Sequence, residues 1–270
     1  MTAQGWRNCR CSSSRHRMID QPTIVLIPAR LRSQRLPNKP LAEIGGLPMI
    51  VRVWQRAVEA RVGPVVVACA EAGIAAVVEA HGGQAVLTDP ELPSGTDRIF
   101  EALNKLDPER RLERVINLQG DLPTLDPALI GAVLEPLDQL GTDLGTLASP
   151  IEDAAERDDP NVVKPVIAFA PNNPRLGRAL YFSRATVPSG EGPVYHHIGI
   201  YAYRRAALER FATLPPSALE QRERLEQLRA LENGLTIGVA LVDTIPLGVD
   251  TPRDLERAQA LLAESRNIAT

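Results

Sequence analysis

The chain has 270 residues, of which 44% are hydrophobic and 23% charged, the composition of an ordinary globular protein. A formal net charge of −3 and an aromatic content of 4% argue against a nucleic-acid binder, which would carry a basic surplus or many stacking aromatics. The longest apolar runs, such as Pro64–Ala70, are far shorter than the ~20 residues of a membrane span, so no membrane association is expected. Three cysteines cannot form a disulfide framework, which favours a reducing, cytoplasmic setting.

Residues 1–21 differ from the rest of the chain because they carry four arginines and a run of serines, with no acidic residue before Asp20. Such a start is typical of an organellar transit peptide. It also fits a disordered tail, or an upstream start codon with Met18 as the true first residue. We expect a disordered extension at 1–21 and one folded domain over 22–270.

From Thr23 onward, short β-branched apolar runs alternate with stretches whose apolar residues recur at helical spacing. In the first half, the strands are predicted at Thr23–Ile27, Pro64–Cys69, Gln84–Thr88 and Arg114–Leu118. The helices are predicted from Met49 and over Glu71–His81, Ile99–Leu106 and Pro127–Leu140. This alternation predicts an α/β fold with a mostly parallel, Rossmann-like sheet covered by helices on both faces.

The second half is less regular, and its strand signals do not alternate evenly with helices. Strands are predicted over Asn161–Ala170, Leu180–Pro188, His197–Tyr203 and Leu235–Val242, and helices over Leu219–Asn233 and Arg253–Glu264. We therefore expect an inserted lobe of mixed sheet at about 160–235, without a separating linker.

The loop after the first strand carries four cations, Arg30, Arg32, Arg35 and Lys39, with no acidic residue between them. Open α/β sheets bind ligands at the carboxyl ends of their strands, where this loop begins. Arginine forks and a lysine ammonium suit a polyphosphate, although a solvated basic loop is the alternative. The P-loop and dinucleotide-binding glycine patterns are both missing from this loop.

The fourth strand ends at Gln119-Gly120-Asp121, on the same expected edge of the sheet. A carboxylate beside a phosphate-binding loop is a candidate Mg²⁺ ligand, because Mg²⁺ takes one or two protein carboxylates together with phosphate oxygens and water. Asp250 is the candidate second ligand. Its place before Thr251 and Pro252 also fits an ordinary helix cap, and the two roles can coexist.

Several motifs, in this order along the chain, are similar to those of the 3-deoxy-manno-octulosonate (Kdo) cytidylyltransferase family. They are Ile27-Pro28-Ala29-Arg30, Arg35-Leu36-Pro37-Asn38-Lys39-Pro40-Leu41, Ser94-Gly95-Thr96-Asp97-Arg98, Gln119-Gly120-Asp121, Tyr181-Phe182-Ser183-Arg184, His197-Ile198-Gly199-Ile200-Tyr201, Leu225-Glu226-Gln227-Leu228-Arg229 and Gly248-Val249-Asp250-Thr251-Pro252. The resemblance extends from about Thr23 to Leu262. The Arg-x-Leu-Pro-x-Lys loop is shared with sialic acid cytidylyltransferases and wider sugar nucleotidyltransferases.

The resemblance implies a glycosyltransferase-A-like nucleotidyltransferase fold and the Mg²⁺-dependent reaction of CTP with Kdo to give CMP-Kdo and diphosphate, for lipopolysaccharide biosynthesis. It implies a homodimer built through the second lobe. The implied residues fall into three sets, with Arg30, Lys39 and Asp121 as the catalytic group. CTP would be held by Arg30, Arg35, Lys39, Ser94, Arg98 and Gln119; the metal by Asp121 and Asp250; and the sugar acid by Arg184, His197, Tyr201, Glu226 and Gln227.

The chain departs from the family pattern at three places. Leu122 replaces an acid after Gly-Asp, Ala68-Cys69-Ala70-Glu71 replaces Ala-Thr-Asp, and the segment between Arg184 and His197 is short. The alternatives are therefore a cytidylyltransferase for 8-amino-Kdo, sialic acid or another nonulosonate, or a catalytically dead nucleotide-binding module. The survival of the cationic loop and both acids disfavours the last.

Overall fold

The computed structural model describes residues 22–32 and 35–268, and the extension predicted at 1–21 lies outside the described residues. The strands are β1 (Thr23–Ala29), β2 (Glu43–Ile44), β3 (Leu47–Pro48), β4 (Val65–Cys69), β5 (Gln84–Leu87), β6 (Arg114–Asn117), β7 (Leu144–Pro150), β8 (Lys164–Ala170), β9 (Asn173–Ser183), β10 (Tyr195–Arg204) and β11 (Ile237–Leu241). The α-helices are α1 (Met49–Glu59), α2 (Ala72–Ala80), α3 (Gly95–Leu106), α4 (Ala128–Ala132), α5 (Glu135–Gln139), α6 (Ala154–Asp158), α7 (Arg205–Thr213), α8 (Ala218–Glu223), α9 (Gln227–Glu232) and α10 (Pro252–Ile268). None of these helices is long and apolar enough to cross a bilayer.

Nine of the strands form one open sheet in the order β5-β4-β1-β6-β10-β7-β11-β9-β8, while β2 and β3 form a separate ribbon. The first four strands of this order are parallel, as predicted. β10 then runs antiparallel between β6 and β7, β11 is parallel to β7, and β9 and β8 follow antiparallel. The strands of the predicted lobe therefore continue the central sheet.

The core has two main layers, one on each face of the sheet. Side chains of β1 alternate between them: Val25 and Ile27 pack in one layer, and Ile24 and Leu26 in the other. All four side chains are buried, which is the pattern of a parallel strand covered on both faces.

Two helices predicted as continuous are interrupted. The helix predicted over Leu219–Asn233 is divided into α8 and α9, because Arg224 adopts a left-handed conformation with φ 57°. The helix predicted over Pro127–Leu140 is divided into α4 and α5, and Pro136 has no N–H to donate to the preceding turn.

The strand boundaries also differ in the second half of the chain. β9 begins at Asn173 and ends at Ser183, so it starts and stops earlier than the predicted strand Leu180–Pro188. β7 is a strand that the sequence patterns do not predict. It lies between β10 and β11 inside the sheet, and six of its seven residues are buried.

Candidate active site

The residues predicted to bind a nucleotide meet at the carboxyl ends of β1 and β6, which are adjacent parallel strands. A cavity of about 300 Å³ lies there. The predicted residues among those lining it are Arg30, Lys39, Ser94, Arg98, Gln119 and Asp121. Gly120 allows the close approach of this edge, because a Cβ at that position would stand 3.1 Å from the carbonyl oxygen of Pro28. The cationic loop and the Gln-Gly-Asp turn therefore form one site.

The centre of this site is a cluster of two cations and two carboxylates. Lys39 Nζ donates to Asp121 Oδ2 at 2.8 Å and to Asp250 Oδ1 at 2.7 Å. Arg35 Nη2 lies 3.0 Å from the other oxygen of Asp250. Burial opposes the ammonium charge, but the two carboxylates outweigh it and raise the pKa of Lys39 above its ordinary value. The two predicted metal ligands thus face a common point, at present held by the lysine.

The helix-cap interpretation of Asp250 is wrong in this structure, because the neighbouring residue caps α10. Thr251 Oγ1 accepts a hydrogen bond from the Asp254 backbone N–H at 3.2 Å, and Asp254 Oδ2 accepts from the Thr251 N–H at 3.0 Å. The carboxylate of Asp250 therefore remains directed to Lys39 and Arg35.

Ser94 and Arg98 enter the cavity from the start of α3. Ser94 is the N-cap of that helix, since its Oγ accepts from the Asp97 N–H at 3.1 Å. Arg98 is only 2% exposed and donates through Nη1 to Thr88 Oγ1 and to the carbonyl of Asp89. Its Nη2 atom is buried and has no hydrogen-bond partner in the described chain. Arg98 is among the residues that line the cavity, and Nη2 is the donor of its guanidinium that no described atom satisfies.

Glu71 belongs to the segment where the chain departs from the family pattern, and it supports the cationic loop. Its Oε2 accepts a hydrogen bond from the backbone N–H of Leu31 at 3.1 Å. Glu71, which differs from the family pattern, thus makes a contact that holds the first residues of the loop beside β4.

A second cavity, of about 760 Å³, adjoins the first and shares Gln119 and Asp121 with it. Its wall also includes Asp250 and His197, both predicted site residues. Leu122, which replaces the family's usual acid, is another of its lining residues and is nearly buried. A molecule in the second cavity would therefore lie next to one in the first, with Asp121 at the junction.

His197 is a neutral imidazole that contacts the side chain of Thr146. Burial lowers its pKa to about 3, so the ring stays uncharged at neutral pH. Its Nε2 lies 3.0 Å from Thr146 Oγ1, which is also within hydrogen-bond distance of the carbonyl oxygens of Ile198 and Ile200.

Tyr201 and Glu226 carry polar atoms that are buried and lack a partner within the described residues, namely the Tyr201 hydroxyl and Glu226 Oε1. The ring centroids of His197 and Tyr201 are 5.5 Å apart. Glu226 Oε2 accepts from Thr96 Oγ1 at 2.6 Å, which places this carboxylate against the start of α3. Gln227 is 8% exposed and begins α9 directly after it.

Of the five predicted sugar-binding residues only His197 is part of the lining described for a cavity; Arg184, like Tyr201, Glu226 and Gln227, is not. Its guanidinium donates to the carbonyl oxygens of Glu223 at 2.9 Å, Pro160 at 3.1 Å and Arg224 at 3.4 Å. In this structure the side chain therefore holds the end of α8 to the loop before β8.

The sequence patterns missed a second histidine in the larger cavity. His196 Nδ1 hydrogen-bonds Glu156 Oε1 on α6, and both residues line the cavity wall. The short helix α6 has no buried residue and no motif, so no sequence pattern pointed to Glu156.

An open α/β sheet that brings a cationic loop, a buried arginine and paired carboxylates to one edge defines a nucleotidyltransferase. The sequence matches the Cytidylyltransferase family over residues 24–237, and the chain belongs to that family. It is 62% identical to 3-deoxy-manno-octulosonate cytidylyltransferase of Paramagnetospirillum magneticum, over 91% of this chain and 99% of the relative. It is 63% identical to the enzyme of the same name from Rhodospirillum centenum, over 88% of this chain and 93% of the relative.

The fold is likewise similar to a solved structure of CMP:2-keto-3-deoxy-manno-octonic acid synthetase complexed with CTP. The TM-score is 0.83 at 39% sequence identity, over 91% of this chain and all of the other. A cytidylyltransferase from Leptospira borgpetersenii, at 15% identity and a TM-score of 0.58, shares the fold. The predicted fold class and the membership in the cytidylyltransferase family are confirmed.

Proposed function

We propose that this chain transfers the cytidylyl group of CTP to Kdo, giving CMP-Kdo and diphosphate. The observation that carries the proposal is the pair of adjoining cavities, which share Gln119 and Asp121. A group transfer requires that the two substrates bind side by side, and here a carboxylate lies at the junction of their cavities. The names of the relatives and the CTP in the similar solved structure support the same pair of substrates.

CTP would occupy the smaller cavity, with its phosphates against the cationic loop. Arg30 and Lys39 line that cavity, and Arg35 lies beside it through its contact with Asp250. Nη2 of Arg98 supplies a buried donor without a partner among the described residues, and the Gln119 side chain offers both a donor and an acceptor. These groups supply positive charge where negative charge increases during displacement of diphosphate.

We also propose that Asp121 and Asp250 hold a divalent cation, and that this cation is Mg²⁺. Among residues 22–32 and 35–268, no cluster of three or more His, Cys, Asp or Glu side chains could hold a metal. Two carboxylates at one point nevertheless fit Mg²⁺, which completes its shell with phosphate oxygens and water. When bound, the ion would neutralise phosphate charge and orient the triphosphate.

The sugar acid would occupy the larger cavity. His197 lines it as a neutral imidazole, which can form a hydrogen bond with a sugar hydroxyl. Tyr201 and Glu226 are not part of the lining described for that cavity; each carries a buried polar atom without a partner among the described residues, and the proposal requires the bound sugar acid to reach these atoms. Gln227 and Arg184 complete the proposed set, with Arg184 pairing with the carboxylate after it leaves its carbonyl partners.

The anomeric hydroxyl oxygen of Kdo would form a bond to the α-phosphorus of CTP, and the hydroxyl proton would pass to solvent water. The bond from that phosphorus to the bridging oxygen would break, and diphosphate would leave with the electron pair. Since the cations of the loop stabilise the developing charge directly, no covalent enzyme intermediate is required.

The test is diphosphate release with CTP, Mg²⁺ and a panel of sugar acids. We expect release with Kdo and none with sialic acid. Release with 8-amino-Kdo at a higher kcat/KM than with Kdo would move the assignment to that substrate. No release with any of the acids would support the nucleotide-binding module instead.

Two further proposals concern the setting of the enzyme. We propose a homodimer formed through the second lobe, where Leu180 on β9 is 62% exposed next to the edge strand β8. Light scattering on a size-exclusion column should give twice the chain mass, and Leu180→Glu should shift the measured mass toward that of the monomer.

We propose a cytoplasmic location because the cysteine usage fits a reducing compartment.

A further inference from the structure

The wall of the larger cavity contains a histidine–glutamate pair that the proposed function does not use. His196 Nδ1 hydrogen-bonds Glu156 Oε1, and both residues are among those that line the cavity. Their side chains are 22% and 25% exposed, so a molecule in the cavity can reach both of them. Neither residue belongs to the motifs that resemble the cytidylyltransferase family.

The pairing of β7 with β10 explains why these two side chains meet. His196 on β10 lies opposite Ser149 on β7, and β7 ends one residue later, shortly before α6. Asp153 caps the start of α6, because its side chain accepts a hydrogen bond from the Ala155 N–H at 2.9 Å. Since α6 has no buried residue, its position against the sheet depends on polar contacts, and the contact with His196 is one of them.

Glu156 determines which nitrogen of the imidazole carries a proton. The ionised carboxylate only accepts hydrogen bonds, so Nδ1 of His196 is the donor. The ring nitrogen that remains for a ligand is Nε2, and the carboxylate oxygen that remains is Glu156 Oε2. Within the described chain neither atom has a hydrogen-bond partner, and neither is one of the buried polar atoms that lack one. Both atoms are therefore accessible on two residues of the cavity wall.

The charges around the pair select the part of the sugar acid that can meet it. Glu156 shares the cavity wall with Asp121, Asp250 and Asp254, and Arg257 is the arginine of the same lining. A sugar carboxylate next to Glu156 would be repelled. Hydroxyl groups, in contrast, can donate to its free oxygen and can exchange a hydrogen bond with Nε2 in either protonation state of the ring. The pair thus suits two neighbouring hydroxyls of one sugar.

We propose that His196 and Glu156 form a subsite for hydroxyl groups of the sugar acid, in which Glu156 orients the imidazole and also contacts the sugar. The inference rests on the proposed function, because it requires the sugar acid to lie in the larger cavity, and it adds two residues to the proposed sugar-binding set. It also gives the sugar acid a direction, with its hydroxylated part toward α6 and its anomeric centre toward Asp121.

The test measures KM for Kdo, KM for CTP and melting temperature of wild type, His196→Asn and His196→Gln. The asparagine amide can replace Nδ1 as the donor to Glu156 but offers no group at the position of Nε2. His196→Asn should therefore raise KM for Kdo about 3- to 10-fold, the range for a neutral hydrogen bond, with KM for CTP and melting temperature unchanged. His196→Gln places its amide near the position of Nε2 and should recover part of the loss.

Glu156→Leu removes both the contact with the imidazole and the second acceptor. It should raise KM for Kdo roughly 10-fold, the factor that a hydrogen bond to a charged group contributes. The matched control is His81→Asn, because His81 Nδ1 also hydrogen-bonds an oxygen, the carbonyl of Val77, and His81 is not part of the lining described for either cavity. This control should leave both KM values unchanged.

The inference is overturned if His196→Asn leaves KM for Kdo unchanged, or if KM for CTP rises by the same factor. It is also overturned if Glu156→Leu lowers the melting temperature but keeps the wild-type KM for Kdo, since the pair would then only hold α6. Should His196→Asn fail to fold, Glu156→Leu decides alone. If the wild type uses another sugar acid, the proposed substrate is wrong, and the same comparison with that acid tests the inference. A wild type that uses no sugar acid refutes the proposed function, and the inference with it.

Discussion

Replacing Lys39 by methionine removes the cation between the two candidate metal ligands and keeps most of the side-chain volume. Lys39 is 15% exposed, and its partners Asp121 and Asp250 are 29% and 46% exposed. Breaking a fully buried ion pair costs about 3–5 kcal/mol, and an exposed pair contributes about 0–1 kcal/mol. For this partly exposed cluster we expect the free energy of unfolding to fall by about 2 kcal/mol.

The same variant tests the metal assignment without an activity assay. In the wild type, the Lys39 ammonium occupies the point between Asp121 and Asp250, so free Mg²⁺ must compete with it. In Lys39→Met the two carboxylates are left facing each other, and Mg²⁺ should bind the folded state more tightly and stabilise it more. Urea unfolding of both proteins, with and without Mg²⁺, measures this difference.

Arg35→Met is the control, because Arg35 also contacts Asp250 but is 66% exposed. It should lower stability by less than about 1 kcal/mol and respond to Mg²⁺ like the wild type. The reasoning is refuted if Lys39→Met is as stable as wild type, or if Mg²⁺ stabilises both proteins equally.

Three other changes probe the rest of the site. Asp121→Asn should lower the free energy of unfolding by less than Lys39→Met does, because Lys39 keeps its contact with Asp250, and it should reduce kcat at least ~100-fold; near-normal turnover at saturating Mg²⁺ would remove this residue from the catalytic group. Because burial lowers the pKa of His197 to about 3, below 6.5 the unfolded state takes up a proton that the folded state does not. The free energy of unfolding should then fall by about 1.4 kcal/mol per pH unit from pH 6.5 toward 3, and an undiminished slope in His197→Gln would contradict this origin. Arg184→Ala should raise KM for Kdo by at least ~10-fold with KM for CTP unchanged, and Arg184→Lys should recover part of the loss; a defect in KM for CTP would place Arg184 in the phosphate site.

The nucleotide side of the site is predictable from the sequence, because its residues directly follow strands with clear apolar runs. β1 and β6 end just before Arg30 and Gln119, and adjacent parallel strands bring such turns to one edge. Asp250 reaches the same point from the distant end of the chain. Its place in the site was predicted from the family motif and not from any local sequence pattern.

The sugar side is less predictable, since long-range packing determines it. β7 has the sequence Leu-Gly-Thr-Leu-Ala-Ser-Pro, which shows no alternation because the strand is covered on both faces. Arg224 ends a helix by taking a left-handed conformation, and neither glycine nor proline stands there as a signal in the sequence.

The position of β10 in the sheet also has a consequence for synthesis on the ribosome. β6 pairs with β1 on one side and with β10 on the other, yet β10 comprises Tyr195–Arg204 and emerges long after Asn117. Until then, the buried residues Val115 and Ile116 belong to an uncovered sheet edge, the kind of edge that recruits other chains. The parallel half can form early in translation, but it is completed only when a strand from the second half closes that edge. We therefore expect nascent chains that end before residue 195 to depend on chaperones, and full-length chains to be released from them.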